Sequence, residues 1–182
     1  MFRKIRNRRR TAKTNYKKRV ASLKGGMDRV VVRKSNKAIS MQVVAYEEAG
    51  DKVVASANSR ELKGMGWEPR CNIPTAYLTG MLLAKKVSAK KDEFVLDIGL
   101  YRPVAGSVIF AAAKGFKDNG ANLHSGIEFD EARITGAHIA KYASAAKEED
   151  YKARFSSYIK SGFDVKGMTQ KFEAVKKELA NK

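Results

Sequence analysis

The sequence predicts an α/β domain whose mixed sheet begins with an antiparallel meander and is packed against helices. Three segments rich in β-branched residues, separated by turns, lie at residues 28–33, 39–46 and 52–57. Two later segments have apolar residues at helical spacing, and a nearly continuous apolar segment over residues 94–99 lies between them. The length of 182 residues is enough for one domain with a core, plus extensions.

Short turns join the first three predicted strands. Residues 34–37, KSNK, follow the first strand, DRVVVR, and residues 48–51, EAGD, follow the second strand, ISMQVVAY. Turns of this length and composition between strands are typical of antiparallel hairpins. The first three strands are therefore expected to form the meander.

Helix signals follow the meander. Asn72 and Pro74 form a helix-start signal, and apolar residues at helical spacing extend this helix to about Val87. A second helix is predicted from about Val104 to Lys117.

The remaining elements of the body complete the alternation of strands and helices. The segment FVLDIG at residues 94–99 is typical of a strand buried on both faces. Residues 119–120, Asn-Gly, are expected to end the second helix. Asp130 is expected to begin a third helix, because its carboxylate can accept hydrogen bonds from the free amides there, and Tyr142 lies near its end.

Charge and pattern divide the chain into three parts: a basic extension over residues 1–24, an α/β body over 25–146 and a helical appendix over 147–182. The body has 17 basic and 13 acidic side chains, so it is a mixed-charge domain. The appendix contains two predicted helices, over 148–161 and about 169–180, with narrow apolar stripes. Those stripes must pack against the body or against a partner.

The basic extension is the strongest indication of function. It contains eleven Lys or Arg and no Asp or Glu, so it carries +11 of the formal net charge of +18. Because such a run repels itself and has little apolar surface, we expect disorder until a phosphate-rich surface neutralises it. Six of the eleven cations are Arg, whose planar guanidinium can hold a phosphate or a base edge with two hydrogen bonds. The extension therefore predicts a polyanionic partner.

Several classes of protein and site find no support. Cys71 is the single cysteine, which excludes an internal disulfide and favours a reducing compartment. We expect it to be a partly buried small apolar residue. With His124 and His138 as the other nitrogen or sulfur ligands, no zinc site is expected. His138 lies on an apolar stripe of the third predicted helix, so we expect it to be a core residue. No apolar run approaches the roughly 18 residues that span a bilayer, and no signal peptide follows the basic start, so we expect a cytoplasmic protein without a membrane partner. The glycine spacings match neither a phosphate-binding loop nor a dinucleotide motif, so no cofactor is expected.

The hairpin turn RKSNK is the second candidate binding feature. Residues 33–37 place three cations, a hydroxyl and a carboxamide on one tight projection, close in sequence to the basic extension. Arg33, Lys34 and Lys37 would contact phosphates, whereas Ser35 and Asn36 would hydrogen-bond to sugar hydroxyls or base edges. Charged turns are also common as solvated tips, and that alternative stays open at this point.

Two other functions are considered. Asp97, with Asp118, Glu128 and Asp130 as further ligands, would suit a metal-dependent RNA-processing nuclease, because such sites begin from a carboxylate on a central strand. The simpler interpretation is that Asp97 caps a backbone amide or pairs with Arg102. A nonspecific polyanion-binding protein, for which the extension alone suffices, is the third possibility.

The chain also resembles a known family. The resemblance covers about residues 3–145, and its most specific parts are the RKSNK hairpin followed by Gln42, the Ala-rich helix ending at residues 118–120, and the extension. The segments that carry it are DRVVVRKSNKAISMQVV, NIPTAYLTGMLLAKK, FVLDIGLYRPVAGSVIFAAAKGFKDNG and EARITGAHIAKYA. They are similar to large ribosomal subunit protein eighteen, a 5S rRNA-binding family, in its archaeal and eukaryotic-like form.

The resemblance implies a non-catalytic structural protein of the large ribosomal subunit. It implies binding to 5S rRNA and attachment to 23S rRNA in the central protuberance, beside other large-subunit proteins including ribosomal protein five, without homo-oligomers. The bacterial form has a shorter C-terminus, so the appendix fits the archaeal form. The expected RNA-binding residues are Arg3, Lys4, Arg6, Arg8, Arg9, Arg10, Lys13, Thr14, Tyr16, Lys17, Lys18, Arg19, Lys24, Arg33, Lys34, Ser35, Asn36, Lys37 and Gln42.

Overall fold

A computed structural model describes residues 7–11, 13–87, 93–124 and 129–181. Its centre is a five-stranded sheet of order β3-β2-β1-β4-β5. The strands are β1 (Asp28–Lys34), β2 (Ile39–Ala45), β3 (Lys52–Asn58), β4 (Glu93–Asp97) and β5 (Asn122–Leu123).

The sheet is mixed, as the sequence predicts. β1 pairs with β2 and β2 with β3 in antiparallel register, which confirms the meander. β4 lies parallel to β1 on its other side, and the short strand β5 extends the parallel half. Strand β5 is not predicted from the sequence, because two residues are too short to show a strand period.

The helices fall into three groups along the chain. The extension contains α1 (Asn7–Arg10) and α2 (Tyr16–Leu23). The body contains a 3-10 helix (Ser59–Met65), α3 (Ile73–Lys86), α4 (Val108–Asp118), α5 (Glu131–Ile134) and α6 (Ala137–Ala145). The C-terminal part contains α7 (Glu148–Arg154), α8 (Ser156–Lys160) and α9 (Met168–Ala180).

Helix α3 is the centre of the core, with a continuous buried run from Ile73 to Ala84. It begins as the sequence predicts, because the Asn72 side chain accepts a hydrogen bond from the Thr75 amide at 3.1 Å. It lies on the sheet and against α4, and its other side meets α9. A helix covered on all sides is apolar all round rather than amphipathic, which matches its sequence.

The structure corrects three details of the predicted body. In β4, Phe94 is buried but Val95 is only half-buried, because the helices of the body cover one face of the sheet, so the prediction of a strand buried on both faces is wrong. Helix α4 begins at Val108 rather than near Val104. The third predicted helix is broken into α5 and α6 at Gly136, whose φ of 78° is not helical.

The extension has local structure where the sequence predicts disorder. The Asn15 side chain caps α2 by accepting a hydrogen bond from the Lys18 amide at 3.1 Å. Arg19 of α2 donates to Asp51 of the body at 2.8 Å. A like-charged segment can hold a short helix when a cap satisfies its first amides and a carboxylate outside the segment pairs with it.

The C-terminal helices pack on the body, a question that the apolar stripes leave open. The Trp67 ring makes edge-to-face contacts with Phe163 at 5.4 Å and Phe172 at 6.2 Å between centroids. Tyr77 of α3 lies 5.8 Å from Phe172. The buried side chains of residues 155–179 therefore belong to the same core as those of the sheet.

Two expectations about individual residues have opposite outcomes. Cys71 is partly buried, as predicted, and burial raises the pKa of its thiol, which disfavours the thiolate. His138 is exposed, whereas its position on an apolar stripe suggested a core residue. Among the described residues, no helix is long and apolar enough to cross a membrane.

Candidate nucleic-acid interface

The two faces of the sheet differ in character. In β1, Val30 and Val32 are fully buried in the core beneath the helices. Because side chains alternate along a strand, Arg29 and Arg33 lie on the opposite face. Gln42 is on that face too, since it pairs in register with Val31. This second face, called the basic face for Arg29 and Arg33, also carries the apolar residues Val31 and Val44.

The β1–β2 hairpin projects from the edge of this basic face. The Ser35 hydroxyl accepts from the Ala38 amide and donates to the Ala38 carbonyl, both at 3.0 Å, so it closes the turn. Lys34, Asn36 and Lys37 are exposed. The tip therefore presents two cations and a carboxamide to solvent, while Ser35 serves the turn.

A tyrosine from the loop after β4 supports the hairpin. The Tyr101 hydroxyl donates to the Lys34 carbonyl at 2.8 Å. The Lys34 ammonium lies 5.5 Å from the centroid of the Tyr101 ring, within cation–π range. Tyr101 thus stabilises the strand end that carries the exposed cations.

Arg33 is held by the body rather than extended into solvent. Its guanidinium donates to the carbonyls of Val32 and Asp97, both at 2.8 Å, and to the Asp97 carboxylate at 3.0 Å. The side chain is 42% exposed, so one edge still faces solvent. Contact between Arg33 and RNA stays a prediction, limited to that edge.

Residues 13–22 of the extension lie over the basic face and leave a groove of about 390 Å³ between α2 and the sheet. The groove has a cationic wall and an apolar floor from the end of β4. Its lining residues are Lys13, Thr14, Asn15, Lys18, Arg19, Ser22, Arg29, Arg33 and residues 96–101.

The structure places the other predicted residues as follows. Arg10, Lys13, Lys17, Lys18 and Lys24 are exposed, whereas Thr14, Tyr16, Arg19 and Gln42 are half-buried. Arg8 and Arg9 belong to α1, but their side chains, and all of Arg3, Lys4 and Arg6, lie outside the described residues. The extension and the hairpin, separate in sequence, thus reach the same face of the sheet.

A set of ion pairs within this face is not predicted from the sequence. Arg29 is 3% exposed and lies 2.8 Å from Asp51 and 3.4 Å from Asp97. Asp51 also pairs with Arg19, and Asp97 with Arg33. One signal was available: Arg29 and Arg33, four residues apart in a strand, must share a face. Nothing local to Asp51 indicates its role.

Asp97, the central carboxylate of the nuclease hypothesis, is engaged in contacts within the protein. The Gly99 amide donates to the Asp97 carboxylate at 2.7 Å, so the expected capping of a backbone amide is observed. Both carboxylate oxygens also contact arginines, but these are Arg29 and Arg33 rather than the expected Arg102. Asp118 accepts from the Tyr77 hydroxyl at 2.9 Å, and Asp130 caps α5. Within the described part of the chain, which excludes Glu128, no three His, Cys, Asp or Glu side chains are grouped as metal ligands.

Comparison with known proteins agrees with this geometry. Residues 1–94 match the family model described as "Ribosomal large subunit proteins 60S L5, and 50S L18". That range includes the extension, the hairpin and the start of β4. The chain is also 42% identical over 180 residues to the large ribosomal subunit protein uL18 of Methanococcus maripaludis, covering 96% of this chain and 93% of that protein.

The family match covers more than half of the chain, and the archaeal relative covers nearly all of it. The resemblance seen in the sequence is thereby confirmed. The chain belongs to the family of ribosomal large-subunit proteins 60S L5 and 50S L18, whose members are structural constituents of the ribosome and not enzymes.

Proposed function

We propose that this protein binds 5S rRNA through its basic extension and its β1–β2 hairpin and helps attach it to 23S rRNA in the central protuberance. The observation that carries the proposal is the convergence of both features on one face of the sheet. The opposite face is covered by the helices of the core, so its side chains are withdrawn from any RNA. A single RNA surface can therefore contact the extension and the hairpin together.

The two features supply different parts of the binding. Exposed Lys and Arg of the extension neutralise phosphates, which gives affinity without reading sequence. The hairpin is braced by Ser35 and Tyr101, so Asn36 and its neighbouring lysines meet the RNA from a fixed position. A rigid projection beside a phosphate-binding segment favours one RNA shape over others, because an RNA of another shape cannot contact the hairpin and the extension at the same time.

The appendix suits contacts beyond 5S rRNA. Ile159 of α8 is 44% exposed, and Tyr142 of α6, whose ring lies 6.1 Å from that of Phe155 in the C-terminal part, is 41% exposed. We place 23S rRNA and neighbouring large-subunit proteins, including ribosomal protein five, on the side of these helices. The protein acts there as a single copy.

A competition assay tests the proposal. Labelled 5S rRNA is bound at two salt concentrations, with tRNA and duplex DNA as competitors. If ~6 to 8 phosphates are engaged, the slope of log K against log salt is roughly −4 to −7. We expect 5S rRNA to be retained selectively at the higher salt.

Matched variants locate the binding surface. The triple variant Lys17→Gln/Lys18→Gln/Lys24→Gln removes three exposed cations from the extension, and Lys141→Gln/Lys160→Gln/Lys177→Gln removes one exposed cation each from α6, α8 and α9. The first is expected to flatten the slope by roughly 2 units, at about 0.7 for each phosphate that is no longer neutralised, and the second to leave it unchanged. Equal effects of both variants, or equal competition by duplex DNA, would instead support a nonspecific polyanion-binding protein.

A further inference from the structure

We propose that Asp51 and Asp97, two carboxylates inside the basic face, are positioning residues that hold the extension and the hairpin in the arrangement that binds RNA. This inference rests on the proposed function and deepens it. Charge alone would predict the opposite role, because a carboxylate among cations repels phosphate. Their contacts show why they belong to this face.

Five side chains form an alternating series of charges. The distances between successive partners are 2.8 Å from Arg19 to Asp51, 2.8 Å from Asp51 to Arg29, 3.4 Å from Arg29 to Asp97 and 3.0 Å from Asp97 to Arg33. Each carboxylate lies between two guanidinium groups. Three positive and two negative charges leave the series with a net charge of +1, so it adds little to the basic field.

The series connects parts of the chain that are distant in sequence. Arg19 lies on α2 of the extension, and Asp51 lies in the turn between β2 and β3. Arg29 and Arg33 lie on β1, and Asp97 ends β4. One end of the series therefore fixes α2 against the sheet, and the other end fixes the base of the hairpin.

Arg29 makes the two carboxylates necessary. A guanidinium that is 3% exposed has lost its hydration and needs compensating charge. Its planar fork reaches both acids at once, which a lysine ammonium cannot do from one position. The Asp51 and Asp97 side chains are themselves 24% and 20% exposed, and Asp97 also lines the groove.

The arrangement has a consequence for binding. An extension that is already placed beside the hairpin loses less conformational entropy when RNA binds. An isolated helix of eight residues such as α2 is marginal in water, so it needs contacts with the body. Among the ion pairs of the described residues, the one between Arg19 and Asp51 joins α2 to the body. Removing the carboxylate thus releases the extension while making the face more positive.

The sign of the change in RNA affinity separates positioning from simple electrostatics. Asp51→Asn removes a negative charge and the ion pairs with Arg19 and Arg29. Glu48→Gln is its matched control, since Glu48 is an exposed acid in the same turn. We expect Asp51→Asn to weaken binding about 3- to 10-fold, and Glu48→Gln to leave it unchanged or to tighten it up to about twofold. Asp97→Asn is expected to weaken binding like Asp51→Asn.

Two further measurements distinguish positioning from general loss of structure. Hydrogen exchange of the amides of α2 in the free protein should accelerate in Asp51→Asn and not in Glu48→Gln, while α3 stays protected in both. In an Arg19→Gln background, Asp51→Asn should weaken binding by less than about twofold, because the contact is already absent. Asp51→Glu should restore most of the affinity.

The possible results decide the proposal. If Asp51→Asn tightens RNA binding as much as Glu48→Gln does, the carboxylates compete with phosphate and the proposal is wrong. The proposal is also wrong if hydrogen exchange of the α2 amides is no faster in Asp51→Asn than in the wild type. If the wild type binds tRNA as well as 5S rRNA, the proposed function fails, but the exchange data and the affinity for tRNA still test the positioning role.

Discussion

Gly99 illustrates how single residues shape the candidate interface. It follows β4 with a φ of 64°, a region that residues with a Cβ rarely adopt. A Cβ placed there would lie 2.9 Å from Cζ of Arg33. The Gly99 amide also donates to the Asp97 carboxylate at 2.7 Å, so the glycine holds both members of an ion pair in place.

Gly99→Ala tests this local packing. We expect a loss of about 2 kcal/mol in the free energy of unfolding, from backbone strain of roughly 1 kcal/mol and displacement of Arg33, measured by urea denaturation. Gly106→Ala is the matched control, because Gly106 has a φ of 71° in the same loop but no atom within 4 Å of its Cβ position. Equal losses in stability and unchanged RNA affinity in both variants would show that the contact with Arg33 contributes nothing.

At the scale of elements, the crossing of α3 and α4 determines how closely the core packs. A Cβ on Gly80 would lie 2.0 Å from the Ala112 carbonyl oxygen, and one on Gly115 would lie 2.0 Å from that of Tyr77. The two glycines therefore allow the helix backbones to touch. Near this crossing the Tyr77 hydroxyl donates to Asp118 of α4. Burial, and then this hydrogen bond, raises the pKa of Tyr77, so the donor stays protonated.

Gly80→Ala is expected to destabilise the protein by about 3 kcal/mol or more, because the contact is with rigid backbone rather than with a flexible side chain. Helix propensity alone predicts the opposite, a gain of about 1 kcal/mol. The shift in the midpoint of denaturant unfolding shows whether Gly80→Ala lowers or raises the stability. Gly64→Ala, where a Cβ meets nothing within 4 Å, serves as the control and should change stability little. A stabilised Gly80→Ala protein would contradict the close crossing.

At the scale of the whole molecule, the C-terminal helices complete the core. Phe172 of α9 is fully buried and contacts both Trp67 and Tyr77, the second of which belongs to α3. The Tyr158 hydroxyl accepts a hydrogen bond from Asn72, the residue that caps α3. The appendix predicted from sequence is thus physically continuous with the body.

Phe172→Ala should lower the free energy of unfolding by about 3 to 5 kcal/mol, since it leaves a cavity beside the Trp67 and Tyr77 rings. Thermal and urea unfolding measure the loss. Ile159→Ala provides the comparison, because that side chain is 44% exposed and its truncation should cost less than about 1 kcal/mol. If Phe172→Ala lowers the free energy of unfolding as little as Ile159→Ala does, α9 does not contribute to the core.

Features that depend on near neighbours in the chain could be predicted from the sequence. Periodicity placed the three strands of the meander, and the caps at Asn72 and Asp130 located two helix starts. The charge of the extension indicated a polyanionic partner before any fold was known. Ordered motifs along the chain identified the ribosomal family, since a family resemblance requires no knowledge of contacts.

Tertiary structure was needed for every feature that depends on residues far apart in the chain. It brought Arg19, Asp51 and Asp97 together around a buried Arg29, and it covered Trp67 with the C-terminal helices. The local pattern around Asp51 is that of any polar turn, so no periodicity distinguishes an exposed acid from one that holds two arginines. The physical reason is that an ion pair or an aromatic contact depends on distance in space, whereas sequence periodicity reports only which face of its own element a side chain occupies.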